Sequence, residues 1–221
     1  MKKIILLIAI ACVVASFSQK KITWIAIGDS ITYLNEHVDE TANRITKGYM
    51  TRVAERLTNV TYINQGHDGW TSGRIADRID SLGLKRAEIY SVFLGTNDWW
   101  HSRKLGALSD YQNNMGNNTV YGSFRIIINK LRSLNNDAMI ILITPMQRVD
   151  FVDLPDMKNH AWGSYRDKNG QSLAQFAEAI KTIGKYEKFE VVDLYNEPKL
   201  KIEDLVKILD FPFVVLGTKN Y

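Results

Sequence analysis

The chain has 221 residues, 45% of them hydrophobic and 24% charged, with four prolines and 14 glycines. Those values fit one globular domain with one sizeable core and exclude a low-complexity or mainly disordered chain. The formal charge of +4 is carried by scattered basic residues, so nothing here calls for nucleic acid as a partner.

In chain order, the first feature is a leader. Lys2 and Lys3 form a basic start, Ile4 to Ala15 is continuously apolar, and Ser16-Phe17-Ser18 offers small residues for cleavage. This layout predicts a secretory signal peptide over residues 1–18, too short for a comfortable membrane span, and a secreted or periplasmic product. A lipoprotein anchor at Cys12 is disfavoured because Val13, Val14 and Ala15 stay apolar. Cys12 is the single cysteine. Its removal leaves no disulfide framework, no thiol nucleophile and no zinc-thiolate site. Without the leader the balance is 26 basic to 24 acidic residues, or +2.

Residues 19–221 read as a single domain in which apolar strands alternate with amphipathic helices. Ile22 to Ile27 is a buried strand ending at Gly28, and Tyr49, Met50, Val53 and Leu57 have helical spacing. Val60 to Asn64 is a second strand, followed by a glycine-marked loop and a helix from Thr71 to Ser81. Ile89 to Leu94 is a third strand, again ending at glycine. Val120 to Leu134 places Phe124, Ile127, Ile128 and Leu131 on one helical face. Met139 to Ile143 is a fourth strand, stopped at Thr144-Pro145. Leu173, Phe176, Ala177, Ile180 and Ile183 mark a helix before a fifth strand at Phe189 to Leu194. Near-continuous apolar strands separated by helices predict an α/β fold, a parallel sheet covered on both faces. Ligands bind beyond the carboxyl ends of such strands. Gly28-Asp29-Ser30, Asn64 to Thr71, and Gly95 to Asp98 all fall there, which predicts one site built by three loops.

Ester cleavage needs an activated hydroxyl, donors aimed at the developing oxyanion, and a base. Ser30 can present the hydroxyl, Asn97 a side-chain amide, and a glycine turn near Gly66 or Gly69 a backbone N–H. In that order these segments resemble the conserved blocks of the SGNH (GDSL-type) hydrolases. Gly28-Asp29-Ser30-Ile31 resembles the first block, Asn64-Gln65-Gly66-His67-Asp68-Gly69-Trp70-Thr71 the second, and Gly95-Thr96-Asn97-Asp98 the third. The resemblance runs over roughly residues 22 to 195. It implies Ser30 as nucleophile, with Gly69 and Asn97 completing an oxyanion hole with the Ser30 N–H; Gly66 is the alternative to Gly69. It also implies a three-layer α/β/α, flavodoxin-like sheet of five parallel strands.

The base departs from the family pattern. The family's histidine sits in an Asp-x-x-His block after the fifth strand, and no histidine follows His160 here. The preferred expectation is a C-terminally incomplete domain that lacks this block and the final helix. The substitutes are His101, in Asp98-Trp99-Trp100-His101, and His160 near Asp156. His67 is expected to shape the pocket and His37 to be exposed. Asp29, Trp70, Trp99 and Trp100 are expected to line the substrate, with Trp162 nearby. The resulting expectation is a serine hydrolase acting on acyl, for example acetyl, esters of a carbohydrate or lipid. It needs no cofactor, and its histidines lack metal-ligand spacing. Two alternatives stand beside it: a catalytically impaired relative that binds a glycan or acyl ligand in the same crevice, and a phosphate-binding flavodoxin-like domain. The second lacks a glycine-rich phosphate loop.

Overall fold

The computed structural model describes residues 20–41, 43, 46–147 and 166–197, and the backbone of 152–153 and 156–160. The expected leader with Cys12, Trp162, and the expected absence of a final helix all fall outside the described residues. Among the described residues, no helix is long and apolar enough to cross a membrane.

The central sheet contains β1 (Ile22–Gly28), β2 (Val60–Gly66), β3 (Ile89–Phe93), β4 (Met139–Ile143) and β7 (Glu190–Val192). All pairings are parallel and the spatial order is β2-β1-β3-β4-β7. That is the doubly wound, flavodoxin-like order, with its reversal between β1 and β3. A small antiparallel hairpin of β5 (Val152–Asp153) and β6 (Asp156–His160) stands apart. The helices are α1 (Ser30–Tyr33), α2 (Tyr49–Arg56), α3 (Ser72–Arg78), α4 (Thr96–Trp100), α5 (Leu108–Gln112), α6 (Val120–Leu134) and α7 (Leu173–Glu187).

Successive residues of β1 serve opposite layers, as the period-2 geometry of a strand requires. Ile25 and Ile27 join the core formed with Ile75 of α3, Phe124, Ile127 and Leu131 of α6, and Phe176, Ile180 and Ile183 of α7. Ile22, Trp24 and Ala26 face Met50 and Val53 of α2, with Leu57 and Val60. The continuous apolar run of β1 is therefore two half-runs, one for each side of the sheet. Each fully buried side chain of this size contributes about 1.5–3 kcal/mol. Local signals start the helices: the Thr119 hydroxyl accepts the Gly122 N–H at 3.1 Å to begin α6, and the Thr71 hydroxyl accepts the Arg74 N–H at 3.1 Å to begin α3.

Register levels the strand ends. Gly28 lies opposite Gly66 on one side and Phe93 on the other, and Phe93 lies opposite Ile143. Helix α1 folds back over these ends. A Cβ at Gly28 would collide with the Thr32 hydroxyl, and one at Gly66 with the backbone nitrogen of Tyr33. Two facing glycines thus make the seat in which the Ser30 helix rests. Gly66→Ala should destabilise the fold by on the order of 1–3 kcal/mol, because the obstruction is backbone and cannot rotate away. Urea unfolding of the purified variant measures this, and an unchanged midpoint would refute the seating.

Candidate active site

Ser30 is the first residue of α1, half-buried, two residues beyond the end of β1. Asp29 caps that helix, its carboxylate accepting the Ile31 N–H at 3.0 Å. The cap consumes the second N–H of the turn and leaves that of Ser30 outside it. Asp29 is only 2% exposed. It serves as the helix cap beside the serine, buried where the sequence reading expected a substrate-lining side chain. Burial is the main force pushing its carboxyl up to about 6, with the Asp98 carboxylate adding to the rise.

Beyond β2 the chain makes a tight turn from His67 to Trp70, closed by the Trp70 N–H donating to the His67 carbonyl at 3.2 Å. Gly69, third in that turn, has φ +68, the left-handed value that a type II turn demands and glycine supplies. Its N–H is not used by the turn. The turn is anchored to the serine strand by the His67 N–H, which donates to the Gly28 carbonyl at 3.0 Å. Gly66, the alternative donor, instead gives its N–H to the Asn64 side chain at 2.8 Å. Gly69 is the glycine left able to serve an incoming oxyanion.

Beyond β3, Gly95 takes φ +115 and releases the chain into α4. Asn97 donates from Nδ2 to the Trp70 carbonyl at 3.0 Å. That bond fixes the amide plane next to the glycine turn and uses one of its two N–H groups, leaving the other free. Ser30, Gly69 and Asn97 therefore come from three adjacent strand ends, and the last two are joined through Trp70.

The aromatic expectations divide. Trp70 is half-buried, with its ring stacked on His67 at 4.2 Å and the Arg74 guanidinium 4.5 Å from its centroid. Trp100 is 37% exposed, whereas Trp99 is 1% exposed and sits in the core. Trp99 packs in the core, where the sequence reading expected it along the substrate wall. It lies on α4 with its ring edge toward Trp100, 5.8 Å away.

The histidines also separate. Burial holds the His67 imidazole below its ordinary pKa, helped by the Arg74 charge, so it is neutral at neutral pH. His37 stacks on Tyr33 at 3.8 Å, with Nδ1 3.2 Å from Glu40. His101 is exposed at the end of α4, its N–H bound to the Asn97 carbonyl at 2.9 Å. His160 pairs with Val152 through the hairpin backbone; its side chain lies outside the described residues. Among the described residues, no group of three His, Cys, Asp or Glu side chains could hold a metal ion.

Sequence reasoning missed one feature of the site. Asp98, beside Asn97, is fully buried and accepts both the Ser72 N–H (2.9 Å) and the Ser72 hydroxyl (2.6 Å). Its spacing in Gly95-Thr96-Asn97-Asp98 was visible, but the partner lies 26 residues away.

The chain matches the model of the GDSL-like Lipase/Acylhydrolase family over residues 26–211. It is 65% identical to a possible lipase from Chitinophaga pinensis, whose crystal structure superposes with a TM-score of 0.74 over 82% of this chain and 70% of that one. A Lactobacillus plantarum protein is 19% identical, with a TM-score of 0.63 over 87% of this chain and 86% of that one. A catalytic mutant of an acetylxylan esterase from Geobacillus stearothermophilus is 16% identical, with a TM-score of 0.53 over 89% and 97% of the two chains. At those identities the last two share the fold alone. No curated protein matches this chain in sequence.

The cap at Asp29 gives a pH-dependent prediction. A carboxyl raised from 3.8 to about 6 keeps its proton in the folded state where the unfolded chain has lost it. Folding stability therefore falls as pH rises through that window, by on the order of 3 kcal/mol for this group. Asp29→Asn, which keeps the oxygen facing Ile31, should gain on the wild type between about pH 4 and 6 and hold a constant lead above. Denaturant unfolding of both proteins across that range reads the difference, and parallel profiles would exclude a raised Asp29.

Proposed function

Since this chain belongs to the GDSL-like lipase/acylhydrolase family, a family of ester hydrolases, we propose that Ser30 is its nucleophile and that the N–H groups of Ser30, Gly69 and Asn97 form its oxyanion hole. The observation that carries the reading is the convergence of three donors at three level strand ends, with Asn97 and the Gly69 turn bonded through the Trp70 carbonyl. The Ser30 oxygen attacks the ester carbonyl carbon while its proton passes to a base. The carbonyl oxygen gains the negative charge and is met by the three N–H groups. Collapse expels the alcohol, which takes up a proton, and water then hydrolyses the acyl-serine.

The substrate class that suits this crevice is an acyl ester, such as an acetyl ester, of a carbohydrate or lipid. Half-buried Trp70 and exposed Trp100 offer flat apolar surfaces to a sugar ring or acyl chain. The acetylxylan esterase with the same fold supports the carbohydrate member of that class. The basic start and apolar run of residues 2–15 support export, where glycan esters are met.

A second reading, ligand binding in the same crevice without turnover, is favoured by one observation. Within the given residues no Asp-x-x-His spacing follows the fifth strand, and the substitute bases they offer are His101 and His160. Removing a triad member typically costs several orders of magnitude in rate.

Two measurements discriminate. The wild-type chain should hydrolyse p-nitrophenyl acetate and react with a fluorophosphonate probe, and Ser30→Ala should do neither. Asn97→Ala should lower kcat by about 10²–10³-fold, the usual cost of one oxyanion donor. Folded wild-type protein that neither labels nor turns over would sink catalysis and leave ligand binding, which titration with acetylated oligosaccharide would then read directly.

A further inference from the structure

The two loops that carry Gly69 and Asn97 are joined twice. Asn97 reaches the Trp70 carbonyl, and one residue further along Asp98 reaches Ser72 through both its N–H and its hydroxyl. Ser72 is the first residue of α3, fully buried, and three residues from Gly69. A carboxylate with no solvent exposure is costly unless it is hydrogen-bonded and paired. Here the pairing comes from Arg103, whose Nε lies 3.2 Å from the Asp98 carboxylate and whose backbone N–H donates to the Asp98 carbonyl at 2.8 Å.

Arg103 is itself fixed. Its Nη2 donates to the Asn117 carbonyl at 2.9 Å and to the Ser123 hydroxyl at 3.0 Å. The Asn117 side chain in turn donates to the Gly73 carbonyl at 2.8 Å. The guanidinium lies so close over Gly73 that a Cβ there would collide with it. The carboxylate therefore holds α3 at its start, and the arginine lies against the next residue of the same helix.

Resting on the Ser30 reading above, we infer that Asp98 and Ser72 are positioning residues for the oxyanion hole, a buried clamp that sets the distance between the Asn97 amide and the Gly69 N–H. Neither touches the substrate. A donor displaced by an ångström loses most of its value to a transition state, so a clamp of this kind acts on kcat and not on substrate binding.

The test is a double-mutant cycle. Ser72→Ala removes one hydroxyl and keeps the backbone bond; Asp98→Asn keeps the shape and loses the charge. Each should lower kcat for p-nitrophenyl acetate about tenfold or more with KM little changed, and Ser72→Ala should have no further effect in the Asn97→Ala background. A merely structural Ser72 would cost the same in both backgrounds, and that additivity would overturn the clamp. A readout that needs no turnover is solvent exchange of the Asn97 side-chain amide protons, followed by NMR in labelled protein. The clamp predicts that Ser72→Ala accelerates it, and unchanged exchange refutes the clamp even in a chain that does not hydrolyse esters. Turnover surviving Ser30→Ala would overturn the nucleophile assignment, while the exchange measurement would still decide the clamp.

Discussion

Gly28 and Gly66 face one another at the ends of two parallel strands, and neither carries a side chain that could fill the space above them. The short helix that begins at Ser30 settles into that space, with Thr32 and Tyr33 packed against the two glycines. The placement of Ser30 over the strand ends follows from this seating. If the register of β1 against β2 slipped by one residue, the inward and outward faces of the strand would exchange, and the serine would no longer lie beside the glycine turn. The turn is tied to the same level by the bond from His67 to the Gly28 carbonyl. A backbone constraint in the sheet thus fixes the level at which the serine helix and the glycine turn meet.

The electrostatics beneath that crevice are more costly. Two buried carboxylates, Asp29 and Asp98, are the immediate chain neighbours of Ser30 and Asn97, the residues proposed as nucleophile and oxyanion donor. Burial raises the pKa of both, and both are compensated: Asp29 caps a helix, and Asp98 is faced by Arg103 and Ser72. Asp29 is also pushed up by Asp98, so a proton held on the former relieves repulsion within the pair. The arrangement exchanges some stability for fixed geometry, as functional sites commonly do.

The aromatic residues show how exposure divides one dipeptide. Trp99 and Trp100 are adjacent, yet α4 turns the first into the core and the second outward. Trp70, between His67 and Arg74, uses its backbone carbonyl to orient Asn97 and its ring to stiffen the glycine turn.

The sequence by itself determined the layering. Apolar runs, their spacing and the glycines that stop them marked β1, β3 and β4 to within a residue and α6 to the residue, because burial on both sheet faces leaves few polar positions inside a strand. The three-loop convergence was legible for the same reason. The tertiary structure decided the rest. It buried Asp29 and Trp99, engaged the Gly66 N–H with the Asn64 side chain while leaving that of Gly69 outside its turn, and disclosed Asp98 as the partner of Ser72. The short helices α1, α4 and α5 were also invisible, being too brief for periodicity to register. The common cause is range: Ser72 and Asp98 are 26 residues apart, Asn97 and Trp70 27, and no local pattern of residue types encodes which buried donor meets which acceptor once the strands are laid side by side.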